Sequence, residues 1–583
     1  MTNISVCEQI PGYKGRLMDG QRVAVRTRDK DGNRKMDFYD VPAEVYVDLT
    51  DLSERTEWDG SKTVRCNPPK PIHADGDVEE YLTQSWLMER LGILSIKRGA
   101  GKTIDKNSLA RISFTSRSNA RRFLKDYTPV YGADLAQEDI CAIRYETGHE
   151  EFEMHKCYFD IEAVQFKRDD PLKADWLVDW KKEIWQDQQM VNSITAYDDW
   201  LDTYFVFACH PTWDEEVSSD TDDGRTIIEK KHKTEKAMLT SFSEWLYRSD
   251  FDLISGWNSA GYDLSVLYHR MESLRVPHPA NGVHFKNGLM PREVFGGGSM
   301  SPFGIMDSPF HKGGREYLWQ QQPLRGIDHL DMMVAFKRLY KDSTNNELVS
   351  SKLGRVARFL GLRDGKLESP DFYSKDYHID WEQFRNYNIR DVELLVQIDE
   401  AWNVTGSYKA VQQLVGCQLR STFYATGLAK VQFNQEAYWK QRTYPYEHEF
   451  AEDDDLEGAI VLDPVELDSV GLHDWTVILD FAGLYPSIMC AFNTCHSSKV
   501  RPGMPHLDDD MIGHNGVRFR KNPVGVLPKM VLKLDEQRDE YKAKLKEAEA
   551  AGDKNAARKW NAMQLSVKRM RASYYGIMAF PKF

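Results

Sequence analysis

Long hydrophobic runs are absent from this chain: no uncharged stretch approaches the roughly 18 apolar residues of a membrane span. Met1 to Gly20 also lacks the basic-then-apolar order of a signal peptide. These absences lead us to expect a protein of the cytoplasm of its cell or host, with no membrane partner. Cysteine is scarce, eight in 583 residues, with no Cys-x2-Cys pair and no histidine at zinc spacing. That excludes a disulfide scaffold and a zinc module, and the thiols are expected to be reduced. No segment repeats at 20 to 50 residues, which excludes a solenoid. Positive charge is in deficit as well: 76 Lys and Arg against 90 Asp and Glu leave a net charge of −14, the wrong sign for a protein that neutralises phosphates over its whole surface.

What the chain does hold is a large folded mass. At about 150 residues per domain it accommodates roughly three to five domains, and 41% hydrophobic with 28% charged residues is the balance of packed cores rather than disorder. Charge is unevenly placed. From Lys529 to Arg571 twelve Lys or Arg face seven Asp or Glu, so one segment of an acidic chain suits an anionic partner.

Residues 1–150 read as a β-rich domain, because Val23-Ala24-Val25, Met36-Asp37-Phe38-Tyr39 and Glu44-Val45-Tyr46-Val47 alternate at period two between turn residues. Residues 151–400 interleave strands such as Cys157 to Ile161 and Tyr204 to Ala208 with helices such as Lys236 to Arg248, an α/β pattern. Phe295 to Gly314, rich in Gly, Pro and Ser, reads as a loop or extended insert. Residues 401–527 start helical, pass an acidic connection at Glu452 to Asp455, and reach an expected strand at Trp475 to Leu479. Residues 528–576 read as two antiparallel helices joined by Ala551-Gly552-Asp553.

Three segments carry carboxylates. Asp160 and Glu162 stand two apart at the end of an apolar strand, so both project from one face. Such a pair repels itself unless a cation lies between, although a solvated pair at a strand end is common. Asp263 follows an apolar strand and a turn that begins at Asn258, at the start of a helix. Tyr387 and Asp391 are four apart on a helix, hence on one of its faces.

In order and spacing these segments resemble the three exonuclease motifs of the family B DNA polymerases, of ribonuclease-H-like type: Asp-x-Glu at Asp160 and Glu162, Asn-x3-Tyr-Asp from Asn258 to Asp263, and Tyr-x3-Asp at Tyr387 and Asp391. The resemblance implies a 3′→5′ exonuclease in which Asp160, Glu162, Asp263 and Asp391 hold two Mg²⁺ or Mn²⁺ ions, Tyr387 orients the attacking water and Asn258 meets the DNA. Hard oxygen donors suit those ions. Phosphodiester hydrolysis needs what two such ions provide, a hydroxide near neutral pH and neutralisation of the leaving oxygen.

The segment from Val477 to Ile488, with Asp480 after an apolar run and a Gly483-Leu484-Tyr485-Pro486 turn, is similar to the family's first polymerase motif. That likeness implies Asp480 as a ligand of both catalytic metals, Phe481 and Leu484 at the nucleotide, and Tyr485 under the sugar, excluding a 2′-OH. Gly483 departs from the usual Ser. The helical hairpin resembles the fingers: Arg538-x3-Lys542 on the first helix, and Lys568 to Gly576 on the second, matching Lys-x3-Asn-Ser-x-Tyr-Gly with Ala572 for Asn. Arg538, Lys542 and Lys568 would clamp a triphosphate, with Tyr575 and Gly576 at the DNA. Gly458, in Glu457 to Val461, resembles the link that touches template, and Arg117 to Asp134 resembles the tailed-phage branch.

The family's second aspartate motif, Tyr-Gly-Asp-Thr-Asp-Ser, does not occur between Gly576 and Phe583, and Asp220-Thr221-Asp222 lacks apolar strand flanks and reads as an exposed loop. We therefore expect an α/β multidomain protein: a ribonuclease-H-like exonuclease domain, a partial α+β palm and helical-hairpin fingers, forming the large part of a split or truncated replicative DNA polymerase. The expected partners are primer-template and single-stranded DNA, deoxynucleoside triphosphates, a second chain with the Asp-Thr-Asp motif and a thumb, and, as a further candidate, a sliding clamp. The competing readings are a stand-alone exonuclease with vestigial fingers and a non-catalytic DNA-binding scaffold.

Overall fold

The computed structural model describes residues 3–10, 22–28, 32–47, 54–56, 62–66, 70–71, 85–102, 108–115, 119–120, 123, 130–131, 140–141, 144, 153–165, 189–222, 224–277, 327–344, 346–362, 377–423, 425–439, 445–446, 471–472, 474–475, 477, 481, 483–513 and 515–578. They fall into two compact units, Met1–Ala43 with Leu135–Val431 and Lys542–Leu565, and Glu44–Asp134 with Gln432–Tyr541 and Ser566–Phe583. The first 150 residues contribute to both.

The first unit is organised on a seven-stranded mixed sheet in the order Glu216–Asp222, Arg225–His232, Thr203–Cys209, Gln189–Asp198, Lys156–Gln165, Leu253–Gly256, Asp328–Asp331. Strand Lys156–Gln165 is antiparallel to Gln189–Asp198 and parallel to Leu253–Gly256. Its side chains alternate. Cys157, Phe159 and Ile161 enter one core with helices Glu235–Arg248 and Asp263–Ser273. Tyr158 enters the other core, under helices Met332–Thr344 and Trp381–Trp402. Asp160 and Glu162 share the parity of Tyr158, so the pleat turns them toward helix Trp381–Trp402.

That helix starts where Asp380 caps it, accepting from the Gln383 amide at 3.4 Å. It buries Ile389, Val392, Leu395 and Ile398 at helical spacing and ends at Asn403 in the left-handed region, φ 48°. On the opposite face Arg270 and Glu235 form a buried two-pronged ion pair, 2.6 and 3.0 Å. Glu235 also accepts from the Val191 amide at 2.9 Å, tying both helices to the sheet. An antiparallel sheet of Asn3–Ile10, Arg22–Arg28 and Arg34–Asp40 belongs to the same unit. It is bolted to the large sheet by Arg28, whose Nε lies 2.7 Å from Asp252.

The second unit holds a five-stranded sheet, ordered Pro445–Tyr446, Val130–Tyr131, Ala43–Val47, Ser108–Phe114, Ile93–Lys102. It also holds helix Leu484–Ala491. The expected helical hairpin is present as Val526–Ala550 and Lys554–Met578, of which Lys542–Leu565, with the turn, belongs to the first unit. Gly552 in its turn has φ +72°, and Asp553 caps the second helix by accepting from the Ala556 amide at 3.0 Å.

Asp220-Thr221-Asp222 corrects the sequence reading. It is exposed as expected, yet it lies in an edge strand, Glu216–Asp222, paired with Arg225–His232 rather than in a loop. An edge strand that leaves most of its side chains in water carries no apolar alternation for a reader to see. Trp475 and Val477, the described residues of the expected strand at Trp475 to Leu479, lie in no strand, and Trp475 turns the backbone with φ +62°. The insert from Phe295 to Gly314, the acidic run Glu452 to Asp455, Gly458 and Asp480 lie outside the described residues. Cys141, Cys157, Cys209, Cys417, Cys490 and Cys495 are free thiols. Among the described residues no helix is long and apolar enough to cross a membrane.

Candidate active site

The sheet face under helix Trp381–Trp402 gathers acids from two elements. Asp160 and Glu162 from strand Lys156–Gln165 and Asp391 from the helix each offer a carboxylate oxygen, all within 4.8 Å of one another. The strand continues to Gln165, so the pair sits mid-strand rather than at its end, and the register shifts directly after Glu162. Tyr387 is buried one helical turn before Asp391. Three hard anionic donors converging from a sheet and a helix fit a divalent cation bound through oxygen.

Asp263 does not join that group. It opens helix Asp263–Ser273, and its Oδ1 accepts from the Ile161 amide at 3.2 Å, between Asp160 and Glu162 along the chain. The turn that delivers it is tightly specified. Asn258 takes the left-handed conformation, φ 58°, and its carbonyl accepts from the Gly261 and Tyr262 amides at 2.9 and 3.0 Å. A Cβ on Gly261 would lie 2.6 Å from Asn258 Oδ1, so only glycine lets that side chain fold over the turn.

Asp331 escaped the sequence reading. It is buried at the end of strand Asp328–Asp331, where it accepts from the Ala260 amide at 3.1 Å and caps helix Met332–Thr344 through the Val334 amide at 3.2 Å. It thereby pins the turn from Asn258 to Asp263. The available signal was an acid placed directly before the apolar run Met332-Met333-Val334-Ala335-Phe336.

Burial pushes Asp263 up to about 7, aided by the Asp331 charge and opposed by backbone donors, and burial pushes Asp331 up to about 6. The sign follows from linkage. A folded-state value above the unfolded one means that proton uptake favours the fold, so this contribution is full below about pH 4 and is lost as pH rises through about 7. In metal-free protein, the unfolding free energy of wild type relative to Asp263→Asn is therefore expected to fall between about pH 4 and about pH 7. Urea titrations of both proteins across that range check it.

In the second unit, Gly483 precedes helix Leu484–Ala491 with φ +70°, and Pro486 lies in its first turn, where no intrahelical donor is needed. Phe481, Leu484 and Tyr485 are exposed. The Tyr485 ring stacks on Tyr575 at 4.1 Å and 14°. The glycine in place of serine suits this backbone, whose φ of +70° side-chain-bearing residues rarely adopt. Arg571, also missed in the sequence, pairs with Asp535 across the hairpin at 2.7 Å. Arg538 and Lys542 share a face of helix Val526–Ala550, and Lys568 and Gly576 lie on helix Lys554–Met578, with Lys568 exposed.

The model for DNA polymerase family B matches residues 425–582, and that for the exonuclease domain of DNA polymerase family B matches residues 152–348, together more than half of the chain. The chain is 26% identical to a DNA polymerase of Archaeoglobus fulgidus over 376 residues, 62% of this chain and 41% of that one. It is 25% identical to a DNA polymerase delta catalytic subunit of Plasmodium falciparum over 363 residues, 59% of this chain and 30% of that one. It thus spans less than half the length of these relatives. The solved family B DNA polymerase of Pyrobaculum calidifontis shares the fold, with a TM-score of 0.65 at 16% identity, covering 100% of this chain and 68% of that one. By these matched segments the chain belongs to the family B DNA polymerases.

Proposed function

We propose that the chain is a DNA-directed DNA polymerase component with 3′→5′ exonuclease activity, in which residues 151–400 proofread, 401–527 form the first part of the palm and 528–576 form the fingers. The observation that carries the reading is the convergence of Asp160, Glu162 and Asp391 within 4.8 Å. These three, with Asp263, would hold two Mg²⁺ or Mn²⁺ ions, which supply a hydroxide and neutralise the leaving 3′ oxygen. The protein's own part is positional. Tyr387 would orient the attacking water, and Asn258 would meet the DNA strand. In the polymerase half Asp480 takes the metals, Phe481, Leu484 and Tyr485 meet the nucleotide, Arg538, Lys542 and Lys568 clamp its triphosphate, and Gly458, Tyr575 and Gly576 meet DNA.

A second polypeptide with an Asp-Thr-Asp motif and a thumb would complete the palm. Asp222 lies on an edge strand of the exonuclease sheet, where it pairs with Arg225 at 3.5 Å and Arg385 at 3.8 Å. Primer extension by an exonuclease-dead variant, with and without the candidate partner, tests the reading. Asp480 alone supplies too little negative charge to hold two metals, so extension is expected only with the partner. Robust extension by the chain alone would overturn the split site.

A further inference from the structure

Asn388 sits between Tyr387 and Asp391 in the chain and is 0% exposed. It lies outside the group of carboxylates, yet its amide joins one of them to the neighbouring strand. Its Nδ2 donates to Asp160 Oδ2 at 3.1 Å. Its Oδ1 accepts from Thr195 Oγ1 at 2.6 Å and from Ser193 Oγ at 3.1 Å. Thr195 is the antiparallel partner of Asp160, and Ser193 that of Glu162, so both hydroxyls lie on the face that carries the two acids.

The chemistry of these groups fixes the amide. An ionised carboxylate only accepts hydrogen bonds, whereas a carboxamide has one accepting and one donating end. Two hydroxyls aimed at the amide oxygen hold the NH₂ end toward Asp160. Turned end for end, the amide would set its oxygen against the carboxylate.

We infer that Asn388 is a positioning residue for the metal centre: held by Ser193 and Thr195, it fixes the plane of the Asp160 carboxylate so that it faces Glu162 and Asp391. This rests on reading those acids as a divalent-cation site. Groups that orient a ligand through a hydrogen bond typically change metal affinity about 10- to 100-fold when removed.

The test is Mn²⁺ binding to the purified chain, followed by the electron paramagnetic resonance signal of the free ion, beside Mg²⁺ titrations of single-stranded DNA digestion. Asn388→Ala should weaken Mn²⁺ binding about 10- to 100-fold and raise the Mg²⁺ concentration for half-maximal rate by the same factor, with a smaller change in the rate at saturation. Ser193→Ala with Thr195→Val should act in the same direction and add nothing in the Asn388→Ala background, because both changes act through one amide. Should Asn388→Ala fail to fold, the hydroxyl pair, which keeps Asn388, carries the test alone. Wild-type Mn²⁺ affinity in Asn388→Ala, or in the hydroxyl pair, overturns the inference, and so do effects that add. If wild type and Asp160→Ala/Glu162→Ala bind Mn²⁺ and digest DNA alike, the metal centre itself falls, and the inference with it. A wild type that loses Mn²⁺ with Asp160 and Glu162 but ignores Asn388 removes the inference alone.

Discussion

Replacing Asp160 and Glu162 together by alanine is expected to abolish digestion of single-stranded DNA from its 3′ end, lowering the rate by about three orders of magnitude or more. Divalent ions contribute several kcal/mol of charge stabilisation to phosphodiester cleavage, and each 1.4 kcal/mol or so is tenfold in rate. Two of the three convergent carboxylates come from this pair, both from strand Lys156–Gln165, so Asp391 would be left without neighbours to share a cation. The strand itself should survive. Its fold-determining side chains are Cys157, Phe159 and Ile161 on the other face, and replacing like charges held together removes repulsion rather than packing. Circular dichroism should be unchanged while digestion is lost; a double variant that keeps its rate would refute the metal assignment.

The second large effect concerns the choice of sugar. Tyr485→Ala, in a polymerisation-competent enzyme freed of exonuclease activity, is expected to reduce discrimination against ribonucleotides by about two orders of magnitude, the scale on which a pocket rejects an added hydroxyl. The ring is rigidly presented. It projects from the first turn of helix Leu484–Ala491 and stacks on Tyr575 at 4.1 Å, so it cannot swing aside from a 2′-OH without losing an aromatic contact. Tyr575→Ala should therefore weaken discrimination by a smaller factor, while Tyr485→Phe keeps the ring and should leave it intact. Ratios of kcat/KM for ribo- and deoxynucleotides measure this; unchanged discrimination in Tyr485→Ala would remove the ring from that role.

Much of the first unit could be read in the sequence because its signals are local. The two-residue spacing of Asp160 and Glu162, the four-residue spacing of Tyr387 and Asp391, and the strand, turn and helix start around Asp263 each report a geometry fixed within one element. The hairpin of Val526–Ala550 and Lys554–Met578 announced itself through its turn and its amphipathic arms. What stayed hidden depends on contacts between segments far apart in the chain. Asn388 matters because Thr195 lies opposite Asp160 in the sheet. Asp331 matters because its strand runs beside Leu253–Gly256. The substitution of Gly483 makes sense only once its backbone is seen to take a left-handed conformation, φ +70°. Periodicity cannot report such meetings, and it failed at Glu216–Asp222 for a different reason: an edge strand with water on both faces has no burial to pattern.

The most direct test of the metal centre is to soak crystals of the chain in Mn²⁺ and locate the ion by its anomalous scattering. The account predicts a peak about 2 Å from carboxylate oxygens of Asp160, Glu162 and Asp391, lost in Asp160→Ala/Glu162→Ala. Manganese bound elsewhere, with this face empty at saturating metal, would contradict it.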